Sequence, residues 1–192
     1  MTFANCPACH EPVGGPICVS CGLLQSPPAE LDPWAALGLP RRWRLDPAEL
    51  DQAWKARSKL VHPDRFVGQA PALRRSALAW TAAINEARRA LKTTSGRALW
   101  LSIGRPELPE RGGPTLSPDF LEWVFEQQVA LGEAPVAVAA EVEAANTRVM
   151  SALDAAFAEV DAGAPAALAR VPELIAQLRY IDQLKARLDA AS

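Results

Sequence analysis

The chain has 192 residues, 49 % of them hydrophobic, and a net charge of −2. That length allows one or two small domains with a real core, and no apolar run approaches the roughly 20 residues needed to span a bilayer. The opening MTFANCPACH has neither the basic and apolar regions of a secretory signal nor the arginines of a transit peptide, so a cytoplasmic location is expected.

The small net charge hides a polarity. Residues 1–40 contain no Lys or Arg and three acids. Residues 41–105 carry 14 Lys/Arg against five acids, a surplus of +9, and residues 106–192 carry six against 14, a surplus of −8. Such an asymmetry suggests separate surfaces for separate partners.

The first element is a cysteine head. CPACHEPVGGPICVSC places Cys6, Cys9, Cys18 and Cys21 at C-x2-C-x8-C-x2-C spacing. Two CxxC knuckles supply four thiolates, the closed tetrahedral set of a structural zinc ion, with iron as the adventitious occupant. A head over residues 1–25 has almost no core, so the metal would supply its folding energy. A redox CxxC would need a βαβ surround that is absent, and two disulfides fit poorly with a cytosolic chain. His10 reads as a solvated neighbour of Cys9. A site with no open position does not catalyse. The Pro-containing stretch LLQSPPAELDP follows as a linker. Metal loss is therefore expected to disorder the head and spare the rest.

From Trp34 the chain reads as helices. LDPAEL is a helix start, with Asp46 as N-cap, Pro47 at the first position and Glu49 completing a capping box. Leu50, Ala53, Trp54, Leu60 and Val61 form an apolar face, and Pro63 should end that helix near His62. Asp64 would then sit in an irregular loop. A second long helix is expected over Leu73–Lys92, with Leu78, Trp80, Ile84, Ala87 and Leu91 as core. The two helices should pack antiparallel with His62, Pro63 and Asp64 at the tip. A shorter helix at about Ser95–Ile103 follows, and GRPELPERGGPTLSP marks a boundary. Beyond it, three helical segments are expected: Ser117–Leu131, Val136 to about Ala162, and Ala166–Ala190. No segment past the head alternates like a strand. The fold class is all-α, with a zinc knuckle at the N-terminus.

A basic helix, His-Pro-Asp, then an antiparallel helix resembles the J domain of the J-protein co-chaperones. The HscB-type branch, which serves iron–sulfur cluster biogenesis, is the closer likeness. WAALGLPRRWRLD looks like that family's opening, HPDRF like its loop, AAINEARRAL like its third-helix signature, and LRYIDQL like a segment of its last helix. The tetracysteine head resembles the extension of the animal mitochondrial members. This resemblance implies a J domain over 32–104 and a C-terminal three-helix scaffold-binding domain over 116–192. It further implies that the protein activates a DnaK/HscA-type ATP-dependent chaperone and is not itself an enzyme. Asp64 would pair with a cation on that chaperone, Pro63 would rigidify the loop, and His62 would hold its shape. Lys55, Arg57, Lys59 and Arg65, with Arg41, Arg42 and Arg44, would steer an acidic partner. No phosphate-cradling glycine motif is present.

The helix from Ser117 carries more apolar surface than one core needs. At 100° per residue Phe120, Trp123, Val124 and Leu131 share one face, and Leu121, Phe125 and Val129 form a second stripe. Leu121 also fits as a hydrophobic staple with Leu116. In the family this helix and an aromatic on the last helix bind the IscU-type scaffold, which implies Leu121, Phe125, Glu126, Glu133 and Tyr180 here. Glu122 and Val129 depart from the family pattern. Two other functions fit less well: a J protein with another client, and a zinc-ribbon nucleic-acid regulator. The second is opposed by the absence of any Lys or Arg in residues 1–40 to contact phosphate. Neither nucleic acid nor membrane is expected as a partner, and weak self-association through the head is.

Overall fold

Proline opens most of the helices, where its fixed φ is already helical and its missing N–H would be unpaired in any case. In the computed structural model, which describes residues 5–191, the α-helices are α1 Pro33–Leu37, α2 Pro47–Val61, α3 Pro71–Lys92, α4 Thr94–Ile103, α5 Pro118–Ala130, α6 Pro135–Asp161 and α7 Val171–Ala191. Two 3-10 turns, Pro63–Phe66 and Pro165–Arg170, precede α3 and α7. Among the described residues no strand forms, and a single antiparallel bridge joins Ile17 to Leu24. The all-α expectation holds. No described helix is long and apolar enough to cross a membrane.

The chain divides into two compact units, Met1–Arg97 and Ala98–Ser192. In the first, Asp32 caps α1 by accepting from the Trp34 and Ala35 amides at 2.9 and 3.2 Å. Its other oxygen pairs with Arg41 at 2.6 Å. Gly38 closes α1 with φ 70°, a left-handed position that a side chain would strain. Asp46 caps α2 through the Ala48 amide at 2.9 Å, and Glu49 pairs with Arg42. Trp34, Leu37, Leu50, Val61, Trp80, Ile84 and Leu91 fill the core.

Helices α2 and α3 form the expected antiparallel hairpin. Asp51 meets Arg88 at 2.8 Å, and the Trp54 indole donates to Asn85 at 2.9 Å. The two pairings step in opposite directions along the helices, which is the antiparallel register. Arg88 also lies over the Trp54 ring, 4.5 Å from its centroid.

Several expectations need correction. Leu60 and Leu78 are exposed, because Val61 and the Ala77–Trp80–Ile84 row take the inward positions. Asp64 sits in a 3-10 turn instead of an irregular loop. The stretch from Pro165 winds as 3-10 before α7 begins. The stretch 23–33 is not a free tether: Leu24 is buried, and the Trp80 indole N–H donates to the Gln25 carbonyl at 2.8 Å.

The second unit builds its core on α5, α6 and α7. Ser117 caps α5 through the Phe120 amide at 3.2 Å. Val124 of α5 is buried, as are Val142, Val149, Leu153 and Phe157 of α6 and Ile175, Leu178, Ile181 and Leu184 of α7. Lys185 and Glu143 pair across α6 and α7 at 2.9 Å.

Candidate functional sites

The cysteine head is two copies of one turn. The Cys6 carbonyl accepts from His10 N–H at 2.8 Å, and Cys6 N–H donates to the Glu11 carbonyl at 2.8 Å. In the second knuckle Cys18 repeats both bonds, with Gly22 at 2.9 Å and Leu23 at 3.0 Å. Each turn closes on a left-handed residue, His10 at φ 62° and Gly22 at φ 74°. The two turns bring Cys6, Cys9, Cys18 and Cys21 together with all four sulfurs within 4.8 Å of one another. Cys6–Cys21 and Cys9–Cys18 are each 3.5 Å apart, and none of the four is in a disulfide. A tetrahedron with metal–sulfur bonds of about 2.3 Å has edges near 3.8 Å. The donor set therefore fits a metal ion. His10 is exposed and lies outside the set.

The four thiols perturb one another. Burial alone would raise the Cys6 thiol, but the Ala8 and Cys9 amides and the Cys21 and Cys9 thiols bring it down to about 6. The Glu11 amide lowers Cys9, yet burial and the Cys18, Cys21 and Cys6 thiols push it up to about 12. Protons are thus held unevenly by a cluster that resists full ionisation. A cation among the sulfurs removes that repulsion.

At the end of the hairpin, His62 terminates α2 and accepts the Asp64 amide at Nδ1, 3.4 Å away. The Asp64 side chain is 86 % exposed, and among the described residues no Lys or Arg pairs with it. Lys55 and Lys59 are exposed on α2 and Arg65 is exposed in the turn after it, Arg65 donating to the Lys59 carbonyl at 3.0 Å. Arg57 is different. Its guanidinium is half-buried beside Gly38 and Gly15 of the head: a Cβ added at Gly15 would lie 2.5 Å from Arg57 Nη1. Arg41 and Arg42 are engaged with Asp32 and Glu49.

On α5, Leu121, Phe125 (67 % exposed) and Val129 (62 %) project outward as a stripe, while Phe120 and Trp123 are half-buried with their ring centroids 5.6 Å apart. Tyr180 of α7 is exposed at its rim and meets Phe120 edge-on, ring centroids 6.3 Å apart. Glu126 and Glu133 are exposed.

No protein-family model matches the chain. A protein of Bordetella pertussis named co-chaperone protein HscB homolog is 37 % identical over 129 residues, which is 64 % of this chain and 76 % of that one. The chain belongs to the HscB co-chaperone family. The HscB homolog of Burkholderia multivorans is 31 % identical over 168 residues, covering 79 % of this chain and 89 % of its own. Human co-chaperone HscB shares the fold, with a TM-score of 0.77 at 22 % identity over 97 % of this chain and 98 % of that one. HscB from Vibrio cholerae matches 84 % of this chain and 97 % of its own with a TM-score of 0.63 at 24 % identity.

Within this HscB-family chain, the residues expected from sequence fall in three places: the thiolate cluster, the turn after α2, and α5 with the exposed side of α7. Sequence reasoning missed Gln25 and Trp80 as a joined pair. Trp80 reads only as a core residue, and Gln25 stands in a stretch whose prolines signal a linker.

Proposed function

We propose that the chain is a J-protein co-chaperone of iron–sulfur cluster assembly. It stimulates ATP hydrolysis by a DnaK/HscA-type chaperone through His62, Pro63 and Asp64, and delivers an IscU-type scaffold held on α5 and α7. The observation that carries this reading is the Asp64 carboxylate, 86 % exposed at the end of a packed hairpin, with the His62 ring 3.5 Å away and no described Lys or Arg of its own chain paired with it. A charge so presented contributes little to the hairpin and is suited to a cation on a partner. Lys55 and Lys59 on α2 and Arg65 in the turn supply exposed positive charge that speeds encounter with an acidic surface. Pro63 and the His62 cap hold the turn in one conformation before docking.

The α5 stripe supports the second half. Three large apolar residues facing water along one helix mark a protein-binding face, and Glu126 and Glu133 place acid beside it for a scaffold rich in basic residues. In the head, the four thiolates would hold zinc, a d¹⁰ ion suited to closed tetrahedral sulfur sites. Zinc there has a structural part and leaves no position for substrate.

The test is steady-state ATP hydrolysis by the chaperone, measured with the chain alone, the scaffold alone and both. The expected outcome is stimulation by the chain that rises further when scaffold is added. An unchanged rate in all three would overturn the assignment.

A further inference from the structure

Gln25 makes three kinds of contact at once. Its backbone N–H donates to the Pro16 carbonyl inside the head at 2.8 Å. Its side-chain amide nitrogen lies 3.5 Å from Cys6 Sγ and 3.0 Å from the Leu23 carbonyl. Both neighbours are acceptors, so the amide can be oriented only with its NH₂ toward them. Its own carbonyl accepts the indole N–H of Trp80 at 2.8 Å. Trp80 is fully buried on α3, and Cys6 is fully buried in the head. One residue therefore bonds a ligand sulfur of the thiolate cluster and the core of the hairpin.

A further contact and a cleft accompany it. Arg57 of α2 lies against Gly15 and Gly38, so that a Cβ at either would have to displace its guanidinium. A cleft of ≈ 490 Å³ is walled by Cys21, Leu23 and Leu24 on one side and by Arg65, Phe66 and Gln69 on the other. Phe66 is the last residue of the 3-10 turn that presents Asp64. The head thus borders, across that cleft, the element that the proposed function assigns to the chaperone.

We propose that Gln25 is a positioning residue of the metal centre and links metal occupancy to the rigidity of α3 and the His62–Phe66 turn. The proposal rests on the reading of the four cysteines as a metal site. Donors to ligand sulfurs fix ligand orientation and tune the metal's affinity. An ion that binds only the folded head stabilises whatever folds with it, and here Trp80 folds with it. By reciprocity, loosening the Gln25–Trp80 joint weakens metal binding.

Two measurements on the full chain test this. Hydrogen exchange is followed by mass spectrometry on zinc-loaded protein and after chelation. The expected result is a loss of protection of at least tenfold in α3 around Trp80 and in residues 62–66, with α6 and α7 unchanged. A loss confined to residues 5–24 would overturn the proposal. The second measurement loads cobalt(II) into wild type and Gln25→Leu. The tetrahedral visible bands should persist in both. In the variant the thiolate-to-cobalt charge-transfer band should move to lower energy, and affinity in competition with a chromophoric chelator should fall about tenfold. A band and affinity equal to wild type would also overturn it. If wild type takes up no cobalt or zinc, the metal-site reading itself fails and the proposal with it. A Gln25→Leu chain that does not fold leaves the wild-type exchange pattern to decide.

Discussion

His62 Nδ1 stands 3.4 Å from the Asp64 amide and 3.5 Å from the Asp64 carboxylate. One ring nitrogen cannot accept from the amide and donate to the carboxylate together. With Nδ1 as the cap's acceptor, the carboxylate receives no hydrogen bond from that nitrogen, which is the state the proposed pairing with a partner cation requires. His62 then shapes the turn and Asp64 carries the charge.

Asp64→Asn keeps the size and the turn and removes the charge, while His62→Gln removes the imidazole cap. Both groups are exposed, so neither change opens a core cavity. Stimulation of the chaperone's ATPase should fall to the basal rate in both, with the helical circular dichroism and melting temperature of wild type. Near-normal stimulation in both variants would refute this division of labour.

Phe125 and Tyr180 test the scaffold face. Truncating an aromatic anchor at an interface costs about 2 kcal/mol or more, over tenfold in affinity. Phe125→Ala and Tyr180→Ala should each weaken scaffold binding by that factor in calorimetric titration. Phe125 should melt like wild type, because its ring is 67 % exposed. Tyr180 should lose a degree or two through its contact with Phe120. Changing Glu126 or Glu133 to Gln should slow association and flatten its salt dependence, leaving dissociation nearly unchanged. Wild-type affinity with a sharply lowered melting point would return the stripe to the core.

Much of this was legible because local chemistry and tertiary packing agree. Ser117-Pro118, Asp46-Pro47 and His62-Pro63 mark helix ends that tertiary contacts leave in place. The cysteine spacing specifies two turns and one cluster without help from the rest of the chain. What was illegible depends on register between distant segments. Leu78 is an exception: at 100° per residue it lies off the Ala77–Trp80–Ile84–Ala87–Leu91 face, and its apolar side chain, not its position, suggests the core. The prolines of residues 23–33 signal a linker correctly by local rules. Nothing local says that the carbonyl of Gln25 satisfies an indole 55 residues away. Arg57 reads as one more basic residue of α2, and its burial comes from two glycines with no side chains in the way.

The clasp between Asp51 and Arg88 gives a pH-dependent prediction. The hydrogen-bonded Arg88 guanidinium holds the Asp51 carboxyl below the usual carboxylate range, and burial opposes it only in part. A carboxylate lowered on folding stabilises the native state above its unfolded value of about 3.9. That contribution is lost as pH falls through the lower native value. Asp51→Asn should therefore lower the melting temperature at pH 7 by roughly 1–3 °C, as suits a half-exposed pair. The gap to wild type should close as the melts are taken toward pH 3. A gap that persists unchanged at pH 3 would assign the effect to packing against Trp54 and not to the charge.

The repeated knuckle makes the last prediction. His10 and Gly22 occupy the same place in the two turns, each left-handed and each donating its N–H to the first cysteine of its CxxC. A residue with a Cβ is strained there by about 1–2 kcal/mol, and glycine is not. His10→Gly should relieve that strain, giving full metal content by elemental analysis and an affinity equal to or tighter than wild type. Gly22→Val puts a β-branched residue where it is least tolerated. Because head folding and metal binding are one equilibrium, the strain should appear as metal affinity weaker by about tenfold or more. The pair also separates strain from ligation at His10. If His10→Gly held less metal than wild type, the imidazole would have a part in the site that four sulfurs alone do not provide.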